Sequence, residues 1–410
     1  MVKLRIFGAI VGAAALLVSA CGGSGAGSEN SDTLNIGLIC SCSGDYASAF
    51  GAVDDAAAAW ESWINDKGGI NGRPVNVIIK DDGNDPARGL RAARELVEQD
   101  RVSAIVGEVS TVDASWADYV EEKGVPVVGG NPLGVPHSTN ANFFPIGSSP
   151  PVWSALFFLD MQKRGLEHIA VMYCAEAQAC ATFPDAAKAG IRAVGADISV
   201  SGVQVSASSP DFNSQCLAMK NEGADALFAA VTTDQGPKLV GNCADLGWKP
   251  TNYNYITSVG PSWYDGSVDG TLVMSPERSY LDASSPAIKT MMDTFDRYAP
   301  GLRDKTEYSQ AVVHAWAGLQ LFVAAAEAGD LSPASTPEDV RKSLYSLKDE
   351  TLDDLVPPLN YTEGEPTFLR CAFVYEVGEG TLVSREGSDG APQCLAPEQA
   401  ESLETSLSAG

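Results

Sequence analysis

The sequence predicts an α/β protein of two Rossmann-like lobes, each a parallel sheet with helices on both faces, and two observations carry that expectation. Short apolar strand-like runs alternate with stretches of helical apolar spacing, and the alternation restarts after residue 150. The chain has 410 residues, 45% of them hydrophobic, which suits two lobes with real cores better than one.

Residues 34–39 read as a buried strand. Over 52–66 the apolar residues Val53, Ala56, Ala57, Trp60, Trp63 and Ile64 recur at helical spacing, and Gly68-Gly69 ends that helix. A strand at 74–79, a helix at 88–99, a strand at 102–106, a helix at 112–123 and a strand at 125–128 follow. The second half repeats this layout without repeating the sequence. Its helices fall at 151–164, 183–194, 212–222 and 236–246, and its strands at 168–173, 198–203, 226–231 and 253–257. The remainder is less regular: helices at 285–298, 307–329 and 337–347, strand-like stretches at 368–377 and 380–385, and a polar tail at 396–410. Open α/β sheets bind ligands beyond the carboxyl ends of their strands. The mouth loops are therefore 40–50, 108–111, 129–134, 174–178, 232–235 and 258–263.

The N-terminus reads as an export signal over residues 1–20. Lys3 and Arg5 precede an apolar run at 6–18, and Ser19-Ala20 stand before Cys21. That run is shorter than the roughly 20 residues that span a bilayer, and no other apolar stretch reads as long enough to cross one. Removing residues 1–20 takes away two bases and no acids, so the charge moves from −26 to 25 − 53 = −28. Such a chain is repelled by nucleic acid and by anionic membrane surfaces.

Nine cysteines less Cys21 leave eight, an even number suited to disulfides in an oxidising compartment. Local arguments pair Cys174 with Cys180 across one loop, Cys371 with Cys394 around a hairpin at 378–380, and Cys216 with Cys243 on helices flanking one strand. Cys40 and Cys42 remain as a tight pair. His137, His168 and His314 are scattered and join no cysteine pair at metal-ligand spacing, so neither a metal nor a cofactor is expected. No GxSxG, HExxH, P-loop or GxGxxG pattern marks an enzyme.

Val18-Ser19-Ala20-Cys21 resembles the bacterial lipobox, which implies a lipid on the Cys21 thiol and residues 21–32 as a flexible Gly/Ser tether. Beyond it, the chain resembles the type I periplasmic binding proteins of branched-chain amino acid transport, in the lipoprotein form of actinobacteria. The resemblance rests on Ile36-Gly37-Leu38 leading to Ser43-Gly44, Phe50-Gly51, the INDKGGINGRPV stretch from Ile64, the DDGNDP stretch from Asp81, and Val106-Gly107 before Ser110 and Thr111. It implies three hinge crossings, near 144–147, 276–280 and 355–359. The lobes then comprise 33–145 with 279–355, and 146–278 with 356–395.

The resemblance also implies a site. Ser110 and Thr111 would hold a ligand carboxylate ahead of a helix N-terminus, although either could merely cap that helix. Asn131 takes the place of a hydroxyl residue after the fourth strand. Phe50 stands where an aromatic covers the ligand, or else in the core. Gln178, Thr233 and Asp234 are the second-lobe contacts, or else a solvated loop. The acid that holds an α-ammonium in the family is missing from Ser258-Val259-Gly260-Pro261, leaving Glu108, Asp234 or Glu176 as substitutes. The implied protein is a monomeric, lipid-anchored solute-binding protein at the outer face of the cell membrane. It would capture an amino-acid-like, carboxylate or amide solute by hinge closure and serve the permease of an ABC importer. A ligand-sensing receptor domain of the same fold is the alternative.

Overall fold

The computed structural model describes residues 32–175, 183–206, 208–385 and 390–408. The segment expected as an export signal, Cys21 and nearly all of the expected tether lie outside the described residues, as do Glu176, Gln178 and Cys180.

The first sheet comprises β1 (Leu34–Cys40), β2 (Val75–Asp81), β3 (Ile105–Val106), β4 (Val127–Val128) and β5 (Phe143–Phe144). All pair in parallel, in the order β2-β1-β3-β4-β5. Side chains alternate across a strand, and the two faces bury different partners. Val106 and Val128 face the helices Val53–Asp66, Pro286–Tyr298 and Ala311–Ala328, whereas Ile105, Val127 and Phe143 face Pro86–Arg94 and Ala117–Lys123.

The second sheet contains β6 (His168–Cys174), β7 (Ser199–Val205), β8 (Ala226–Ala230), β9 (Thr251–Tyr255), β10 (Leu272–Ser275), β11 (Cys371–Gly378), β12 (Thr381–Ser384) and β13 (Gln393–Cys394). Its parallel part runs β7-β6-β8-β9-β10, the same first-strand-central order as the first sheet. The sheet is not parallel throughout, because β11 adds antiparallel to β10, and β12 and β13 antiparallel to β11. Glu379 and Gly380 both take positive φ, 54° and 77°, which closes a two-residue turn between Gly378 and Thr381 and forces this return.

Local sequence explains the helix boundaries. The Asp85 carboxylate accepts from Arg88 N at 2.7 Å, with Pro86 in the first turn. Thr336 and Asp339 close a reciprocal capping box. At the end of Val53–Asp66, Asn65 bonds both the N–H and the carbonyl of Val75 at 2.8 Å, tying helix to strand. Gly69 has φ 75° and a Cβ there would lie 1.8 Å from the Arg73 carbonyl, so only glycine fits this reversal.

The structure corrects several expectations. The helix expected at 112–123 is a short 3-10 turn, Asp113–Ser115, followed by Ala117–Lys123, because Ser110 and Asp113 spend their side chains on local backbone N–H groups. Leu355, Val356, Leu359 and Tyr361 pack into the first lobe's core, so the third crossing follows Tyr361 and does not lie at 355–359. The polar tail contains a helix, Pro397–Ser408, whose Ala400 and Leu403 are buried in the second lobe. Ala311–Ala328 is long and apolar enough to cross a membrane, contrary to the expectation, but 72% of it is buried within the first lobe. Strands β5 and β10 escape the sequence reading because each is short and runs straight into a crossing.

The crossings are cross-linked by hydrogen bonds. Tyr361 Oη donates to the Pro145 carbonyl at 2.9 Å, Ser279 N donates to Tyr375 Oη at 2.9 Å, and Ser148 Oγ donates to the Cys371 carbonyl at 2.6 Å. Cys40 and Cys42, Cys216 and Cys243, and Cys371 and Cys394 stand as pairs at bonding distance. Cys174 ends β6, and Cys180 lies outside the described residues.

Candidate functional site

In each sheet the first strand sits between the second and the third, so chain direction switches beside it. The crevice at such a switch point is where open α/β sheets hold ligands. In the first lobe this crevice lies between the loops after β1 and β3, and the DDGNDP segment after β2 organises both. Asp81 accepts from Ser43 N at 3.1 Å and from the Ser43 hydroxyl. Asp82, with no exposed surface, accepts from Ser41 Oγ at 2.7 Å and from Ser110 Oγ at 2.6 Å. Asn84 Oδ1 accepts from Thr111 Oγ1 at 2.7 Å, and Ser41 Oγ accepts from Thr111 N at 3.0 Å.

The carboxylate-binding expectation meets a specific obstacle here. Ser41, Ser110 and Thr111 each direct their hydroxyl proton at a protein oxygen, and Ser110 Oγ also accepts from Val112 N at 3.1 Å. A carboxylate ligand would have to win one of these protons from Asp82 or Asn84. Burial raises the pKa of Asp81, but the bonds from Ser43 and Gly83 and the Arg88 charge outweigh it and hold the carboxyl below its usual range.

Asn131 is buried after β4; its N–H donates to the Glu108 carbonyl at 2.9 Å, and its Oδ1 accepts from Leu133 N at 3.2 Å. Its Nδ2 makes no hydrogen bond among the described residues. Phe50 is buried in the first lobe's core with its ring stacked on half-exposed Tyr46, centroids 6.0 Å apart. Glu108 has no exposed surface. It accepts from Ser110 N at 2.7 Å through one oxygen and meets His137 Nε2 at 2.6 Å through the other.

The sequence reading missed His137 and Asp113, which gather round Glu108 from positions 29 and 5 residues further along the chain. One donor atom from each of the three lies within 4.8 Å of the others, and all three residues are buried. Burial pushes Glu108 up to about 8 and Asp113 up to about 7, Asp113 being raised further by Glu108, while burial lowers His137 to about 4. No spacing rule finds such a cluster, because β4 intervenes between its members.

In the second lobe, Thr232 Oγ1 donates to Asp234 Oδ1 at 2.8 Å, and the Asp234 side chain is exposed at the mouth. The Thr233 carbonyl accepts from Trp263 Nε1 at 2.8 Å and Ser262 Oγ at 3.3 Å, clamping the loop after β8 to the loop after β9. A Cβ at Gly260 would lie 2.6 Å from Thr233 Cγ2, so the loop without an acid is held close by packing. Of the acids considered for an ammonium, Asp234 stands exposed, Glu108 is enclosed, and Glu176 lies outside the described residues.

Comparison with known proteins agrees with this architecture. A branched chain amino acid ABC transporter protein from Thermus thermophilus, solved with bound valine, superposes with a TM-score of 0.76 at 14% identity, covering 92% of this chain and 99% of that one. A fatty acid ABC transporter substrate-binding protein from Thermomonospora curvata gives 0.71 at 18% identity, covering 90% and 94%. At these identities the likeness is one of fold. In sequence, a Leu/Ile/Val-binding protein from Rhizobium johnstonii is 34% identical over 96 residues, 23% of this chain and 26% of that protein. An amino acid binding protein from Pseudomonas aeruginosa is 35% identical over 80 residues, 19% of each. The chain thus matches about a quarter or less of the length of these curated relatives. Residues 33–381 match the model of the periplasmic binding protein family, and the chain belongs to that family.

Proposed function

We propose that this protein is the solute-binding component of an ABC importer. It captures a small amino-acid-like, carboxylate or amide solute between its lobes and presents it to the permease. The observation that carries the reading is the repeated strand order, which sets one switch-point crevice on each lobe, with three crossings as the hinge between them. Relatives named for Leu/Ile/Val and amino acid binding support the ligand class. In this reading the exposed Asp234 meets an ammonium, and the ligand's other end is met by the Asn131 amide and by Thr111, which would exchange its bond to Asn84 for one to the ligand.

Export places the domain in an oxidising compartment, where the cysteine pairs hold as disulfides. The lipid on Cys21 keeps a monomer beside its permease at the outer face of the membrane. Metabolic labelling with a fatty acid tests the anchor: wild type should carry the label and Cys21→Ser should not.

Thermal-shift screening of amino acids, amides and small carboxylic acids tests the capture. A ligand at a hundredfold its dissociation constant should add about 2.7 kcal/mol. If no small solute moves the melting point while a protein partner does, the transport reading fails. With a ligand in hand, Thr111→Ala should weaken binding, and unchanged affinity removes Thr111 from the site.

A further inference from the structure

Glu108, Asp113 and His137 sit behind the hydroxyl network, and neither solute capture nor hinge motion employs them. Buried polar groups are normally hydrogen-bonded, yet Asp113 Oδ2 and His137 Nδ1 have no hydrogen-bond partner among the described residues. Asp113 and His137 are 5% and 2% exposed, and Glu108 is wholly enclosed. A third buried acid, Asp82, adds negative charge close by and contributes to the raised pKa of both carboxyls. Three features of the chain preserve this arrangement. Gly134 passes directly over Asp113, where a Cβ would lie 1.7 Å from Oδ2. The Phe143 ring meets His137 edge-on with centroids 5.1 Å apart. Asn131 N, bonded to the Glu108 carbonyl, fixes the loop carrying His137 against the loop carrying the acids.

We propose that Glu108, Asp113 and His137 bind one divalent first-row transition-metal ion, which locks the loop after β3 to the loop after β4. An imidazole nitrogen with two carboxylates is a nitrogen and oxygen donor set suited to Zn²⁺, Mn²⁺ or Fe²⁺, and two carboxylates balance the charge of a divalent ion. Ligands about 2.0–2.2 Å from such an ion stand roughly 3–4 Å from one another. The three donor atoms lie within 4.8 Å of one another, so an ion between them would need to draw them only about an ångström closer. The ion would give the orphaned oxygen or nitrogen a partner in place of a proton. Its place is structural: it lies behind the crevice, and no step of solute capture passes through it.

The test uses the exported chain from Cys21 onward, without a polyhistidine tag. Protein from metal-supplemented medium is assayed for metal content, stripped with a chelator, and titrated with Zn²⁺ and with Mn²⁺ while melting and binding heat are followed. The expected result is a single equivalent per chain, a melting point that falls on stripping and recovers on titration, and an absorption edge showing nitrogen and oxygen ligands without sulfur. Asp113→Asn and His137→Gln, checked for native circular dichroism, should lose the equivalent and the recovery. Wild type that carries no metal and shows no shift with either ion overturns the proposal, leaving a proton-sharing cluster. Full-strength binding by folded Asp113→Asn overturns it as well. Should a variant fail to fold, the wild-type measurements decide alone. None of these readouts requires the solute, so the outcome stands apart from the transport reading.

Discussion

Ser110 Oγ donates to Asp82 Oδ2 at 2.6 Å with both residues buried, and this bond joins the loop after the third strand to the loop after the second. The other oxygen of Asp82 takes the Ser41 proton, so one carboxylate fastens three switch-point loops together. Asp82→Asn replaces an acceptor oxygen by an amide donor facing a hydroxyl. We expect a loss of about 1–3 kcal/mol in chemical unfolding and weaker solute binding from a loosened mouth. Wild-type stability in that variant would show that the network does not hold the loops.

Much of that network is visible in the DDGNDP segment as a motif, but not as a mechanism. The sequence offers Asp81, Asp82, Asn84 and Asp85 only as part of a stretch that resembles the family. Only the fold shows that they reach Ser43, Ser41 with Ser110, Thr111, and the first turn of the next helix respectively.

Two glycines should respond in opposite directions. Gly107 has φ 63°, and its Cβ would lie 2.6 Å from the Ala315 carbonyl, backbone that cannot step aside. Gly107→Ala should cost roughly 2–4 kcal/mol. Gly241 lies in the helix Gln235–Asp245 with nothing within 4 Å of a Cβ. Gly241→Ala should raise stability by about 0.5–1 kcal/mol through helix propensity. Paired melting curves check both signs.

Cys216 and Cys243 stand as a close pair on two helices of the second lobe, 27 residues apart in the chain, and as a disulfide they would close that loop. Replacing both with alanine frees that loop in the unfolded state, and stability should fall by roughly 2–4 kcal/mol. Cys216 and Cys243 are fully buried, so mild reductant should leave the pair intact in the native protein. Rapid native-state reduction would contradict that placement.

Asp81 gives the acid limb of stability a definite sign. Its folded pKa lies below the unfolded value, so its contribution is complete above the ordinary carboxylate range and is lost as pH falls through the folded pKa. Asp81→Asn should therefore melt closer to wild type at pH 3 than at pH 7. An equal difference at both pH values would place the effect in packing and not in charge.

By itself the sequence determined the α/β alternation, the two-lobed plan, the turns at the INDKGGINGRPV stretch and the family, because these depend on local periodicity and on residues near in the chain. It also marked Ser110, Thr111 and Asp234 as mouth residues from strand order alone. The tertiary structure decided that the hydroxyl protons of Ser41, Ser110 and Thr111 are already engaged, where the third crossing falls, and that Phe50 and Glu108 are enclosed. It alone brought His137 to Glu108 across 29 residues. Those outcomes depend on distances between segments that meet only when the sheet closes. The bond from Ser110 Oγ to Asp82, 28 residues earlier in the chain, is another such outcome.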